Sequence, residues 1–327
     1  MNKKQIMIIS IFVVVLLSVV FFLTKGKSLE EQLEIVSQYD TYTMSCNMEL
    51  LENDDLKSFQ IDVVYQKEGE YYKVTIYDKS LNQSQVIVRN EEGVFVVTPS
   101  LNQTFQFQSE WPTSQPKPYI YVSLLEAIEE GSVDSIEDGY LVKQDITYEN
   151  DDRVTSQEIY FDEELHPVLV QVYDQDGLEI IKVEITSFEE NVSLEQDTFN
   201  PDVIVNDVTV SYVEQMESSL PLYPVTSLGA SLVSQEISVI GDVTNHILQF
   251  SGETSFTVVQ SVDMGASEVV TTQVYDEVVD LVDGIGFYSD NQLTMIQSGI
   301  LCSVYSTELT KEEMMDVINS LQVSSIK

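Results

Sequence analysis

Histidine is the side chain best suited to acid–base chemistry near neutral pH, and this chain of 327 residues contains only two, His166 and His246. His166 precedes Pro167 where a strand is predicted to begin, and His246 lies at the start of another predicted strand. The sequence holds no nucleophile elbow, no Ser-x-x-Lys, no phosphate loop and no His-x-x-x-His pair. We therefore predict that both histidines are structural, that the protein is not an enzyme and that it needs no cofactor.

Carboxylates are abundant, so some pairs that resemble metal ligands arise by chance. Asp174-Gln175-Asp176-Gly177 has calcium-loop composition, but its glycine is fourth, whereas an EF-hand loop needs glycine at about position 6 and glutamate at about position 12. A turn is the better interpretation there. The acids at 151–152 and 162–164 are typical of solvated strand ends. No metal site is predicted, and a weak cation site stays open as a minor alternative at Asp280, Asp283 and Asp290.

The two cysteines, Cys46 and Cys302, lie in opposite halves of the chain and have no metal-type spacing. A disulfide between them would need their Cα atoms to lie within about 7 Å, which spacing alone does not settle. Two separate buried thiols are the favoured interpretation.

The charge is strongly negative, with 15 basic and 55 acidic residues and a net charge of −40. The first 27 residues hold four lysines and no acid, and no Lys or Arg occurs between Lys182 and Lys311. Such a surface repels phosphate backbones, which excludes nucleic acid as a partner. A hydrophobic content of 43% is nevertheless sufficient for packed cores.

An apolar run from Gln5 to Leu23 dominates the N-terminus. As a helix it would span about 28 Å, close to the thickness of the hydrocarbon core of a bilayer. The run exceeds an ordinary signal-peptide core and lacks a small-residue cleavage site. We therefore predict a retained transmembrane anchor over residues 1–27 rather than a cleaved signal peptide. Lys3 and Lys4 favour a cytoplasmic N-terminus, which places a single-pass protein in the cell membrane with its bulk extracytoplasmic.

The remaining elements are mainly strands, in which apolar and polar residues alternate. Capping boxes at Ser28-Leu29-Glu30-Glu31 and Thr310-Lys311-Glu312-Glu313 predict helix starts, and residues 119–128 carry a helical apolar stripe. Prolines between Asn200 and Pro224 indicate a linker. The predicted fold class is mainly β (α+β), with antiparallel strands. The predicted organisation is an anchor at 1–27, a first domain at 28–205, a linker at 206–224 and a small C-terminal α+β domain at 225–327.

The run NEEGVFVVTPSLNQTFQFQSEWP (90–112), followed by PYIYVSLLEAI (118–128), resembles the LolA-like family of lipoprotein carriers and outer-membrane lipoprotein-sorting proteins. It is most similar to the Gram-positive branch that includes sporulation and germination lipoproteins. Ile159–Phe199 resembles the later hairpins of that family, so the resemblance covers roughly 28–205. It implies a curved antiparallel half-barrel sheet with lid helices over an apolar cavity. No cysteine follows the N-terminal apolar run, so the lipid attachment of that branch is missing. The C-terminal end resembles a small module appended to such proteins.

If the resemblance holds, the cavity takes an acyl chain, an acylated peptide or another apolar ligand, and the protein is a membrane-tethered binding protein. The alternative is a protein-interaction, sensor or assembly module of the cell envelope or spore. Period-two alternation fits a filled core as well as an open cavity. The predicted cavity wall comprises Phe59, Ile61, Val63, Tyr65, Val74, Ile76, Phe105 and Phe107 on the sheet and Leu124 and Leu125 on the lid helix.

Overall fold

The protein is described by a computed structural model. The described residues are 28–52, 55–79, 83–98, 103–107, 111–112, 116–148, 151–206, 220–240, 243–262, 277–280, 284–297 and 300–323.

The predicted transmembrane anchor requires correction. Among the described residues, which begin at Ser28, no helix is both long enough and apolar enough to cross a bilayer. The segment 1–27, on which the prediction was based, lies outside the described residues. The single-pass anchor, the cytoplasmic N-terminus and the location in the cell membrane are therefore withdrawn.

The first sheet is antiparallel, curved and open, and it has eleven strands. The strands are β1 (Thr41–Glu52), β2 (Asp55–Gln66), β3 (Tyr71–Asp78), β4 (Gln83–Asn90), β5 (Gly93–Thr98), β6 (Gln103–Phe107), β7 (Ser132–Ile136), β8 (Gly139–Asp145), β9 (Ser156–Phe161), β10 (Pro167–Tyr173) and β11 (Glu179–Glu190). Their spatial order is β6-β5-β4-β3-β2-β1-β11-β10-β9-β8-β7, so two meanders meet where β1 pairs with β11.

Three helices accompany this sheet: α1 (Leu29–Val36), α2 (Tyr121–Glu130) and the single turn and a half of α3 (Pro201–Asn206). The predicted capping box opens α1, because Ser28 Oγ accepts the Glu31 N–H at 3.3 Å and Glu31 Oε2 accepts the Ser28 N–H at 2.9 Å. These reciprocal bonds satisfy two donors that a helix start leaves free.

The second sheet has seven strands in the order β13-β14-β15-β19-β18-β17-β16, and α4 (Lys311–Asn319) packs on it. A separate pair joins β12 to β20. The strands are β12 (Leu222–Pro224), β13 (Ala230–Ile240), β14 (Val243–Gly252), β15 (Ser255–Val262), β16 (Glu277–Asp280), β17 (Ile285–Ser289), β18 (Gln292–Gln297), β19 (Ile300–Tyr305) and β20 (Leu321–Val323).

The predicted fold class is confirmed: the chain is mainly antiparallel β, with a large curved sheet, a second sheet and few helices. The predicted capping box at Thr310 opens α4. The division into domains at 205 and 225 remains a prediction. β12 lies within the predicted linker and pairs with the last described strand, β20.

Candidate functional site

Opposed apolar side chains build the inner face of the first sheet, which we define as the face that carries Ile61 and Val74. The register sets Ile61 opposite Ile76 and Val63 opposite Val74 across β2 and β3. The Cβ atoms of directly opposed residues lie about 4.5–5.5 Å apart, so such side chains pack together. Ile61 and Val74 are 0% exposed and Val63 is 1% exposed. The inner face is therefore a continuous apolar surface.

Helix α2 and the segment before it cover the inner face. Tyr121 and Leu124 are one helical turn apart and are buried in the same apolar cluster as the strands. Trp111 is also buried there, and Arg89 Nη1 donates to its carbonyl oxygen at 3.0 Å. The Tyr121 hydroxyl donates to the carbonyl of Leu165 at 3.1 Å, which fixes the start of the helix above the sheet.

One end of the inner face is aromatic. The ring of Tyr42 lies 5.0 Å from that of Tyr65, 5.4 Å from that of Tyr121 and 5.6 Å from that of Phe188, measured between centroids. Such contacts add about 0.5–1.5 kcal/mol per pair beyond the burial of surface. Burial raises the pKa of the Tyr42 phenol well above its usual value, and burial likewise raises the pKa of Tyr121. The phenols are therefore neutral at physiological pH.

Two residues of the second sheet are buried against the inner face, and a third, Leu301 on β19, is partly buried there. Ile285 and Phe287 lie on β17, yet they belong to the apolar cluster of the first sheet and are 0% and 1% exposed. The ring centroid of Phe287 lies 6.1 Å from that of Phe105 on β6. We call Ile285 and Phe287 the β17 plug. The C-terminal half of the chain thus supplies part of the cover of the N-terminal sheet.

The thiols offer no nucleophilic chemistry. Cys46 and Cys302 are free and buried, as the sequence predicted. Burial raises the pKa of the Cys46 thiol to about 12, with the nearby Asp62 carboxylate adding to the rise. Burial alone raises the pKa of Cys302 to about 12. Since the thiolate is the reactive form, neither residue is suited to catalysis or redox exchange near neutral pH.

The structure brings nearly all of the predicted wall residues together. Tyr65 and Leu125 are half-buried and pack against the cluster, whereas the side chain of Phe107 lies outside what the structure describes. The other wall residues belong to the buried cluster itself: Phe59, Ile61, Val63, Val74, Ile76, Phe105 and Leu124.

These buried wall residues are 0–9% exposed. A vacant cavity would leave more of its wall exposed, so the inner face as it stands is covered, and α2 and the β17 plug are among the elements that cover it. Binding of a ligand to this face remains a proposal and would require part of the cover to move.

His166 lies outside this site, in the loop between β9 and β10. Its Nδ1 is 3.4 Å from Asp162 Oδ2, and its ring stacks on Phe188 at 4.9 Å. Asp162 Oδ1 also accepts the backbone N–H groups of Glu164 and His166, at 2.9 and 2.8 Å. Asp162, Glu164 and His166 offer ligand atoms within 4.8 Å of one another, a geometry open to a cation. Their hydrogen bonds already account for their arrangement as the support of a turn.

The other acidic candidates are structural or lie outside the described part. Asp174 Oδ1 accepts the backbone N–H groups of Asp176 and Leu178, at 2.9 and 2.8 Å, which confirms the predicted turn. Of the minor cation-site candidates, Asp283 and the side chain of Asp280 lie outside the described residues. His246 lies on β14 opposite Ile237 of β13.

A polar cleft of about 660 Å³ opens on the opposite, outer face of the first sheet, beneath the chain that follows β11. Its lining includes Tyr71 of the sheet and Phe199 of the covering segment, whose ring centroids lie 5.7 Å apart. Asn90 Nδ2 donates to the Phe199 carbonyl at 3.0 Å and holds the covering segment in place. Sequence reasoning gave no sign of this cleft. The carboxylates on its walls are Glu91, Glu92, Glu195, Asp197 and Asp202.

The family follows from comparison with known proteins. A family described as sporulation protein YdcC-like matches residues 2–199. The chain belongs to this family. Sporulation protein YdcC of Bacillus subtilis (strain 168) is 30% identical over 306 residues, which covers 90% of this chain and 89% of that protein. The predicted resemblance to a sporulation branch is confirmed.

Similar solved structures include the MucA/MucB complex of Pseudomonas aeruginosa. The sequence identity is 12%, the match covers 90% of this chain and 97% of that chain, and the TM-score is 0.32. Another is a putative outer membrane lipoprotein-sorting protein domain from Vibrio parahaemolyticus. The sequence identity is 15%, the match covers 54% of this chain and 100% of that chain, and the TM-score is 0.30. Similarity at this level supports no functional inference. None of these descriptions names a catalytic activity.

Proposed function

We propose that this protein is a non-catalytic binding protein that takes an apolar group onto the inner face, in the place now filled by the β17 plug. The observation that carries the proposal is the position of Ile285 and Phe287, which belong to the second sheet but complete the apolar cluster of the first. A contact supplied by a distant part of the chain is easier to exchange for a ligand than the interior of a single sheet. The Cys46 thiol on the inner face has a raised pKa and is not suited to nucleophilic chemistry, in keeping with a binding role.

The energy of exchange indicates the size of the ligand. Exposing a buried Ile and a buried Phe costs about 1.5–3 kcal/mol each, so displacing the plug costs roughly 3–6 kcal/mol. Each buried methylene returns about 0.8 kcal/mol, so roughly four to eight methylenes offset the cost. A short acyl group would not bind, whereas a long acyl chain would retain a net gain. We therefore favour a long acyl chain over a small apolar molecule.

The test measures binding of a fluorescent long-chain acyl probe to the full chain and to Phe287→Ala. Truncation of Phe287 weakens the plug, so we expect the variant to bind the probe more tightly than the wild type, by about tenfold per 1.4 kcal/mol of plug removed.

The matched control is Phe250→Ala. Phe250 is another buried phenylalanine of the second sheet, stacked on Phe256 at 4.7 Å, but it belongs to the separate cluster of that sheet. It should not tighten probe binding. Equal binding by both variants and the wild type, or no binding by any, would refute the proposed site.

An acyl chain and an apolar peptide segment share the chemistry that the inner face recognises. Native mass spectrometry of the purified chain detects a bound mass, and organic extraction then distinguishes the two, because a lipid partitions into the organic phase and a polypeptide does not. Recovery of the bound mass in the organic phase supports a lipid. Its recovery with the protein fraction supports a protein partner, which is the second candidate function.

A further inference from the structure

We propose that β13 is an interaction surface and that its occupant is β13 of a second copy of this chain. β13 is the outermost strand of the seven-stranded sheet, and among the described strands it pairs only with β14. An outer strand presents unpaired backbone N–H and C=O groups, which form a template for a further strand. This inference is independent of the ligand proposed for the inner face.

Apolar side chains are exposed along the whole of β13. In β13 and β14, only Ala230, Leu248 and Phe250 are buried, so the hairpin extends beyond the core of its sheet. Monomeric proteins seldom leave a run of large apolar side chains open to solvent without a use for it. The exposed residues and their exposed fractions are Leu232 (41%), Val233 (63%), Ile237 (63%), Val239 (66%) and Ile240 (70%).

The other three end strands of the two large sheets differ from β13. β6 and β7 have five residues each and β16 has four, whereas β13 has eleven. Short strands are one of the usual protections of a sheet edge, and Lys or Pro on the strand is another. β13 contains neither Lys nor Pro. It is therefore the longest of these edges among the described strands, and the charge of Glu236 and the bulge at Val233 are its protective features.

Charge favours this edge as the place where two copies meet. Each copy carries a net charge of −40, so two copies repel each other over most of their surfaces. Residues 227–252 contain only two carboxylates, those of Glu236 and Asp242. The β13–β14 hairpin is thus a weakly charged part of a strongly acidic chain, and apolar contact there meets little repulsion.

The strand is also complementary to itself. A bulge at Val233 interrupts its pairing with β14, which leaves a regular segment from Ser234 to Ile240. In an antiparallel pair centred on Ile237, this residue meets Ile237 of the second copy, and Val239 lies diagonally across from it. Glu236 then lies opposite Ser238 of the second copy and not opposite its own equivalent. A two-fold axis through Ile237 therefore places apolar groups together, while the two Glu236 side chains become diagonal neighbours and are not directly opposed.

The expected dimer joins two seven-stranded sheets through one strand of each copy. Such a contact lies at the low end of the size range of protein interfaces, so we expect dissociation on dilution and not an obligate dimer.

Sedimentation velocity of the full chain over a concentration series provides the first test. Ile237→Lys places the lysine of one copy beside that of the second copy at the two-fold axis. We therefore expect the dissociation constant of the dimer to rise by at least about tenfold. The matched control is Val168→Lys, because Val168 is a strand residue of the first sheet with 50% exposure. It should leave the dissociation constant unchanged.

Cross-linking tests the register. Opposed Cα atoms in antiparallel strands lie about 4.5–5.5 Å apart, within the range that a disulfide spans. Ile237→Cys should therefore form a covalent dimer on mild oxidation, while Val168→Cys should not. The two native thiols are buried, so we expect no competing intermolecular disulfide from them.

A wild-type chain that stays monomeric at every concentration would overturn the proposal and leave β13 open to a strand of another protein. A dimer that persists in Ile237→Lys, with no cross-link in Ile237→Cys, would place the interface elsewhere and would also overturn it.

Discussion

The inner face of the first sheet and the strand β13 of the second sheet have opposite environments although both are rich in branched apolar residues. Ile61 is 0% exposed, whereas Ile237 is 63% exposed. Ile61 has paired strands on both sides, with α2 and the β17 plug covering the inner face. Ile237 has a partner strand on one side and lies beyond the core of its sheet. Branched apolar residues thus favour a strand, whereas the burial of their side chains depends on which other parts of the chain pack against that strand.

Among the substitutions that test this contrast, Ile61→Ala should have the largest effect on the free energy of unfolding. Removing three carbons from a packed core position costs about 2–5 kcal/mol, because the lost contacts leave a cavity. An open cavity wall would lose little packing and show a cost below about 2 kcal/mol. Urea denaturation of the full chain gives the free energy of unfolding. A small loss there would indicate that the inner face holds unfilled space.

Thr310→Ala tests the contribution of helix α4, which packs on the second sheet. Thr310 Oγ1 accepts the Glu313 N–H at 3.2 Å, and Glu313 Oε2 accepts the Thr310 N–H at 2.9 Å. Loss of such a cap costs about 0.5–2 kcal/mol. Because α4 buries four apolar side chains of its own, we expect the whole of this cost to appear in the unfolding free energy of the second sheet.

The matched control is Ser28→Ala, which removes the equivalent cap of α1. Helix α1 buries Gln32 and Val36 and packs Leu29 and Leu33 only partly against the core, so its fraying exposes less apolar surface than the loss of α4. We expect a smaller loss than for Thr310→Ala when both variants are compared with the wild type by urea denaturation. An equal or larger loss would mean that α1 covers more of the first sheet than its burial indicates.

Ile237→Ala should have the smallest effect on the unfolding of the monomer. Most of the Ile237 side chain is already in water in the folded state, and substitutions of this kind usually change stability by less than about 0.5 kcal/mol. Thermal unfolding at low protein concentration, where a weak dimer is dissociated, checks this expectation. A loss comparable to that of Ile61→Ala would contradict the contrast between the two regions.

Much of the fold could be predicted from local patterns. The alternation at Phe59–Tyr65, the turn at Asp174–Gly177 and the two capping boxes give elements that the structure contains. Strand β1 was not identified, although Tyr42, Met44, Cys46, Met48 and Leu50 alternate inward along it. Its polar residues and its methionines weaken the usual β-branched signal, and counting the alternation would have found it.

The candidate site was less predictable than the fold. The wall residues could be chosen by alternation, but alternation does not show whether a face is covered. The β17 plug depends on a contact between Phe105 and Phe287, which no local pattern contains. The cluster around His166 depends on a turn that brings Asp162 back to it, together with Phe188 from β11. Long-range contacts of this kind arise only from the assembled fold.

The contact between Phe105 and Phe287 also has a consequence during synthesis of the chain. The first sheet ends at Glu190, 95 positions before Ile285, so the ribosome finishes the first sheet before it makes the plug. At about 5–20 residues per second, the interval is roughly 5–20 s. During this time the inner face can fold around α2 while the place of Ile285 and Phe287 is still vacant. Under the proposed function, translation itself therefore provides a period in which an apolar group could be loaded before the remaining cover has been synthesised.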